Sequence, residues 1–204
     1  PVLYKVGSVL FTGSGTQAVR AIQESGGEVF LDLKFHDIPN TVKGAARSAT
    51  RLGVRMFTVH CSGGLQMLKA AVEGVAEVSG INSDERPLVI GVTVLTSHAK
   101  GAETNAEVLR LCDLAHQAGL DGIVCSAWEV QKVKETFGNR LVTVVPGIRL
   151  KEDTKDDQAR VATPQEAIQA GADYLVIGRS VTASANPRSK LERIMEAIEY
   201  GAGD

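Results

Sequence analysis

Short β-rich runs alternate along the whole chain with helix-patterned segments, and this alternation constrains the fold more than any other feature. The runs are Leu3–Val6, Val29–Lys34, Met56–His60, Leu88–Leu95, Gly122–Ser126, Leu141–Val145 and Tyr174–Ile177. They are rich in Val, Ile and Leu, as strands covered on both faces are. The segments between them carry helix signals. Asn40–Leu52 places Val42, Ala45, Ala46 and Ala49 on one side and ends at Gly53. Thr163-Pro164-Gln165-Glu166 is a capping box with proline at the first helical position, and Gly171 is a stop. Leu65–Val78, Glu107–Gln117, Trp128–Phe137 and Lys190–Tyr200 read as helices in the same way. A parallel sheet covered by helices follows. No linker, low-complexity tract or charge block divides the chain, so residues 1–204 read as a single domain.

Composition narrows the function classes. With 44% hydrophobic and 23% charged residues, a chain of 204 can bury a real core. The net charge is −2 and no basic run exists, so neither nucleic acid nor a membrane surface is expected as a partner. No apolar run approaches the ~20 residues that span a bilayer, and no basic-then-apolar leader opens the sequence. Cys61, Cys112 and Cys125 lack CxxC spacing, which argues against a disulfide framework or a zinc site and fits a reducing, cytoplasmic setting. His36, His60, His98 and His116 show no HxH or HExxH pattern, so no metal site is expected.

Two architectures compete, an open doubly wound sheet and a closed barrel. Polar residues follow most strands: Lys34, His60, Thr96, Ser126, Arg149 (just beyond its strand) and Arg179. A barrel gathers such tips into one ring, whereas an open sheet spreads them along a line. The expectation is therefore an α/β (β/α)8 TIM barrel. Only seven strands are readable and the chain opens at Pro1, so the first βα unit is expected to be missing from it.

The richest stretch runs from Glu28 to Thr41. Strand alternation sends Val29, Leu31 and Leu33 toward covering helices, and Phe30, Asp32 and Lys34 into the barrel. An acid and a lysine at consecutive inward positions are costly unless they pair and act. Asp37 follows where the strand becomes a loop, giving D-x-K-x-x-D. Lys5, on the preceding strand, reads either as a lysine snorkelling at a strand end or, if it points inward, as extending this to alternating Lys, Asp, Lys and Asp, in which carboxylates hold the lysines charged. A lysine charged in a dry pocket stabilises developing negative charge and then delivers a proton. Arg149 and Gly178-Arg179 end the last two strands, where (β/α)8 barrels often hold phosphate. Gln158 belongs to the charged loop 151–158, which reads either as a segment that folds over a ligand or as an ordinary solvated loop. Gly13-Ser14-Gly15-Thr16-Gln17-Ala18 matches a dinucleotide fingerprint, but that reading leaves Lys34 beside a ribose-binding acid and the later polar tips unused.

The run Asp32–Thr41 resembles the signature of the orotidine 5′-monophosphate decarboxylase family. Agreement in order and spacing extends through Tyr4–Gly7, Val59–Gly64, Val92–Ser97, Asp121–Ala127, Val145–Arg149 and Val176–Arg179. The resemblance implies a cofactor-free barrel, a homodimer with shared active sites, and conversion of orotidine 5′-monophosphate to UMP in pyrimidine synthesis. It implies that Lys34 donates a proton to C6, Asp32 lies near the departing carboxylate and Lys5 binds the ribose. Asp37 and Thr41 would reach into the partner's site. Thr96 and Ser126 would contact the base, and Arg149, Gln158, Gly178 and Arg179 would surround the phosphate. The family's first strand, ending in a ribose-binding acid, has no counterpart here. Alternatives are a magnesium-dependent sugar-phosphate decarboxylase or hexulose-phosphate synthase of the same barrel group, and an incomplete, non-catalytic nucleotide-binding chain.

Overall fold

The computed structural model describes residues 2–79, 86–94, 102–150 and 161–201. Seven strands lie among them: β1 (Leu3–Gly7), β2 (Glu28–Phe35), β3 (Met56–His60), β4 (Leu88–Val92), β5 (Gly122–Val124), β6 (Val142–Val145) and β7 (Tyr174–Leu175). The helices are α1 (Ser8–Ser14), α2 (Thr16–Glu24), α3 (Pro39–Arg51), α4 (Gly64–Ser79), α5 (Ala102–Ala118), α6 (Ala127–Phe137), α7 (Pro164–Gln169), α8 (Arg179–Thr182) and α9 (Pro187–Gly201). Hydrogen-bonded strands follow one another in chain order from β1 to β7. A doubly wound sheet reverses its order at a switch point; this order has no reversal and is that of a (β/α)8 barrel. No helix among the described residues is long and apolar enough to cross a membrane.

The chain forms two compact units. The first comprises Pro1–Thr93 and Leu111–Gly122. Here β1 to β4 pair in parallel. Residues Met56, Phe57, Thr58 and Val59 of β3 are all buried, so this strand is covered on both faces, as its apolar run requires. Helices α3 and α4 meet closely at Gly74, where an added Cβ would lie 2.4 Å from the Lys43 carbonyl oxygen. The Arg86 guanidinium donates two hydrogen bonds to Asp121, which also accepts from the Val89 N–H at 2.8 Å. This ties the approach to β4 to the approach to β5.

The second unit comprises Val94–Arg110 and Ile123–Asp204. Strands β6 and β7 pair in parallel through Val144–Tyr174 and Val145–Leu175. Asp173 accepts from the Lys134 ammonium at 2.7 Å and from the Thr143 N–H and hydroxyl at 2.7 and 2.8 Å. Partial burial raises its carboxyl pKa, but these donors outweigh it and hold the group below the ordinary carboxylate value. The capping box forms as expected: Thr163 Oγ1 accepts from the Glu166 N–H, and the Glu166 carboxylate accepts from the Thr163 N–H at 2.7 Å.

Several elements depart from the sequence reading. β5 stops at Val124 and β7 at Leu175, so Ser126 caps α6 and Arg179 opens α8 rather than ending a strand. The fingerprint-like Gly13–Ala18 follows no strand. Gly15, at φ 57°, separates α1 from α2, and its N–H bonds to the Phe11 carbonyl. The motif is a break between helices, not a phosphate loop.

Candidate active site

Asp32 is the centre of the array in the first unit. Its Oδ1 accepts from the Lys34 ammonium at 2.7 Å, and its Oδ2 lies 3.3 Å from the Lys5 ammonium. The Asp32 side chain is 13% exposed, and each lysine side chain 35%. The pairing expected from D-x-K on one strand and a lysine on its neighbour is therefore formed. Gly7, the register partner of Asp32, leaves room for it: a Cβ there would stand 3.0 Å from the Lys5 Nζ.

A local distortion of β2 shapes this cluster. Leu31 pairs with Phe57 and Phe35 with Val59. Three residues of β2, Asp32 to Lys34, therefore stand opposite Thr58 alone. Lys34 has φ 53°, the only described non-glycine residue with positive φ. Such a backbone costs about 1–3 kcal/mol and persists only where its surroundings enforce it. Thr58, fully buried, accepts from the Lys34 N–H at 2.8 Å and donates to Asp32 Oδ1 at 3.1 Å. Sequence reading missed Thr58 because threonine in an apolar strand looks like an ordinary β-former.

Electrostatics follow from this packing. Burial alone would raise the Asp32 carboxyl. The Lys34 hydrogen bond and charge, the Lys5 charge and the Thr58 hydroxyl outweigh it and hold Asp32 below the ordinary carboxylate value. His60, at the end of β3, has its ring 5.3 Å from that of His36. Burial, then His36 and Lys34, push the His60 imidazole below its usual value against the opposing pull of Asp32.

The other expected residues divide into groups. Asp37 does not pair with either lysine: its Oδ1 accepts from the Ile38 N–H at 2.6 Å, and the residue is exposed. Thr41, in the first turn of α3, is exposed too. In the second unit, Ser126 is 1% exposed and its hydroxyl has no hydrogen-bond partner among the described residues, while its N–H is held by Glu129 at 2.7 Å. The Arg149 N–H bonds to the Ala162 carbonyl. Among the described residues nothing lies within 4 Å of a Cβ added at Gly178, and Arg179 beside it is exposed. Thr96 and Gln158 lie outside the described residues.

Parallel strands follow one another in barrel order and carry a Lys–Asp–Lys array on β1 and β2, the fold and charge pattern of a (β/α)-barrel protein. The chain belongs to the orotidine 5′-phosphate decarboxylase / HUMPS family, whose model matches residues 1–194. It is 50% identical over 202 residues to an orotidine 5′-phosphate decarboxylase of Legionella pneumophila, covering 95% of this chain and 86% of that one. With the enzyme of the same name from Moorella thermoacetica it shares 46% identity, covering 97% of this chain and 82% of the other. The crystal structure of orotidine 5′-phosphate decarboxylase from Lactobacillus acidophilus superposes with a TM-score of 0.80 at 34% identity, covering 95% of this chain and 85% of that one.

Proposed function

We propose that this chain converts orotidine 5′-monophosphate to UMP and CO2 in pyrimidine biosynthesis, without a cofactor. The observation that carries this reading is the Lys5–Asp32–Lys34 array, in a chain so similar to decarboxylases along its length. The C6–carboxylate bond breaks, its electron pair stays on C6, and CO2 departs. The Lys34 ammonium stabilises that pair and then transfers a proton to C6, recovering one from solvent. Asp32 stands beside the departing carboxylate and fixes Lys34, and Lys5 holds the ribose. Preorganised charge of this kind favours the transition state over the bound substrate. Purified protein given orotidine 5′-monophosphate with a chelator present should release UMP. Turnover of a sugar phosphate instead, and only with magnesium, would select the sister activity.

On this reading Thr96 and Ser126 meet the base. The buried Ser126 hydroxyl, without a partner among the described residues, supports such a role, because buried hydroxyls seldom remain unsatisfied. Arg149, Gln158, Gly178 and Arg179 take the phosphate. Arg179→Ala is expected to weaken UMP by about 2–4 kcal/mol and uridine little. Calorimetric titration of both ligands reads this directly, and equal weakening would remove the phosphate role.

The working form on this reading is a homodimer with Asp37 and Thr41 entering the partner's site. The exposure of Asp37, Ile38 and Thr41, and the lack of a bond from Asp37 to either lysine, support it. Mixing Lys34→Ala with Asp37→Ala protein, each nearly inactive, should restore part of the activity through mixed dimers. No restoration, with subunit exchange verified, would mean that the sites are not shared. Cellular placement is read as cytoplasmic, which the three buried thiols support.

A further inference from the structure

We propose that Thr58 is a positioning residue for the decarboxylation, its hydroxyl holding Lys34 and Asp32 in reacting geometry; this rests on the function proposed above. The bulge removes the regular ladder from β2 where the chemistry sits. Between the Leu31–Phe57 and Phe35–Val59 pairs, three residues of β2 face one of β3. Bulges re-aim side chains and leave backbone groups without ladder partners. Thr58 supplies what the ladder loses.

One oxygen does two jobs. Thr58 Oγ1 accepts the Lys34 N–H at 2.8 Å and donates its own hydrogen to Asp32 Oδ1 at 3.1 Å. The same Oδ1 accepts from the Lys34 ammonium at 2.7 Å. A closed ring results, from Lys34 backbone to Thr58, to Asp32, to the Lys34 side chain. Both ends of Lys34 are therefore fixed, and its positive φ is held where an extended backbone would otherwise be preferred. Only a side chain that both donates and accepts closes the ring, which a hydroxyl does and a methyl does not. The threonine methyl takes no part in the ring.

The charged and titratable groups around Asp32 are Lys5 from β1, Lys34 from β2 itself, and His60 from β3. Loss of the Thr58 hydrogen bond removes one of the groups favouring ionised Asp32, so the acid limb of activity should move upward in pH.

Thr58→Val keeps shape and loses both bonds; Thr58→Ser keeps both. Displacing a reacting group by about 1 Å costs on the order of 10²-fold. Thr58→Val is expected to lower kcat by about 10- to 100-fold with KM little changed and the acid limb raised. Thr58→Ser should restore kcat to within a few-fold and return the limb. A folded Thr58→Val protein with unchanged kcat overturns the proposal, and so does Thr58→Ser as impaired as valine. If valine prevents folding, Thr58→Ala against Thr58→Ser carries the same comparison, and equal kcat in those two overturns it. Lys34→Ala, run alongside, separates the claims. An active Lys34→Ala enzyme defeats the proposed mechanism, whereas an inactive one beside an unaffected Thr58→Val defeats only the role of Thr58.

Discussion

Replacing Lys34 by alanine is expected to lower kcat by roughly two to four orders of magnitude, the usual worth of a positioned proton donor. UMP should still bind within a few-fold of the parent. The ammonium sits 2.7 Å from Asp32 on a backbone already bent to place it there. On the proposed mechanism, removing it takes away both the charge that stabilises the electron pair at C6 and the proton that ends the reaction. Neither contribution exists in the ground state, so the loss falls on kcat rather than KM. Circular dichroism and UMP titration establish that the variant is folded. A folded variant that keeps most of its kcat would remove Lys34 from the chemistry.

Asp32→Asn carries the second largest effect, and it acts on rate and stability together. The carboxylate lies between two ammonium groups, and asparagine keeps the shape without the charge. Lys5 and Lys34 are then left to repel each other with no carboxylate between them. We expect kcat to fall at least a hundredfold, comparable to losing one preorganised electrostatic group. Stability at neutral pH should fall by about 1–3 kcal/mol, the cost of breaking a partly buried charged hydrogen-bond cluster. The sign of the pH dependence is fixed. The folded Asp32 carboxyl titrates below its unfolded value, so its contribution is complete above the ordinary carboxylate range. It is lost as pH falls through the lowered folded value. Thermal melts of parent and variant should therefore differ most above about pH 5 and converge in strong acid. A gap between them that widens on acidification would contradict the assignment.

The tetrad was legible because its spacing reports directly on geometry. Asp32 and Lys34 are two apart on one strand, so they share a face, and Lys5 lies on the neighbouring strand. The structure joins those three, but it leaves Asp37 on an exposed loop, since sequence spacing past a strand end no longer fixes direction. The bulge at Asp32–Lys34 was not legible. It depends on a hydroxyl from β3, brought there by pairing between strands over twenty residues apart. α1 was missed for a different reason: it buries no residue and has no acidic first turn, so it carries no pattern to read. The strand composition of Tyr174–Ile177 points to a strand end at Arg179, yet β7 ends at Leu175 and Gly178 precedes a new helical turn. The chain order of the strands follows from strand–helix alternation itself, since each helix returns the chain to lay the next strand parallel beside the last.

The most direct test of the account is the fate of the C6 hydrogen of UMP. If the Lys34 ammonium protonates a C6 electron pair, the reverse step must remove that proton, and the lysine must exchange it with solvent. Purified protein incubated with UMP in heavy water, followed by proton NMR, should deplete the C6 signal far faster than buffer alone. Lys34→Ala should abolish that acceleration while still binding UMP. Exchange that is not accelerated by the parent protein, or that persists undiminished in the variant, would contradict a lysine acting on C6.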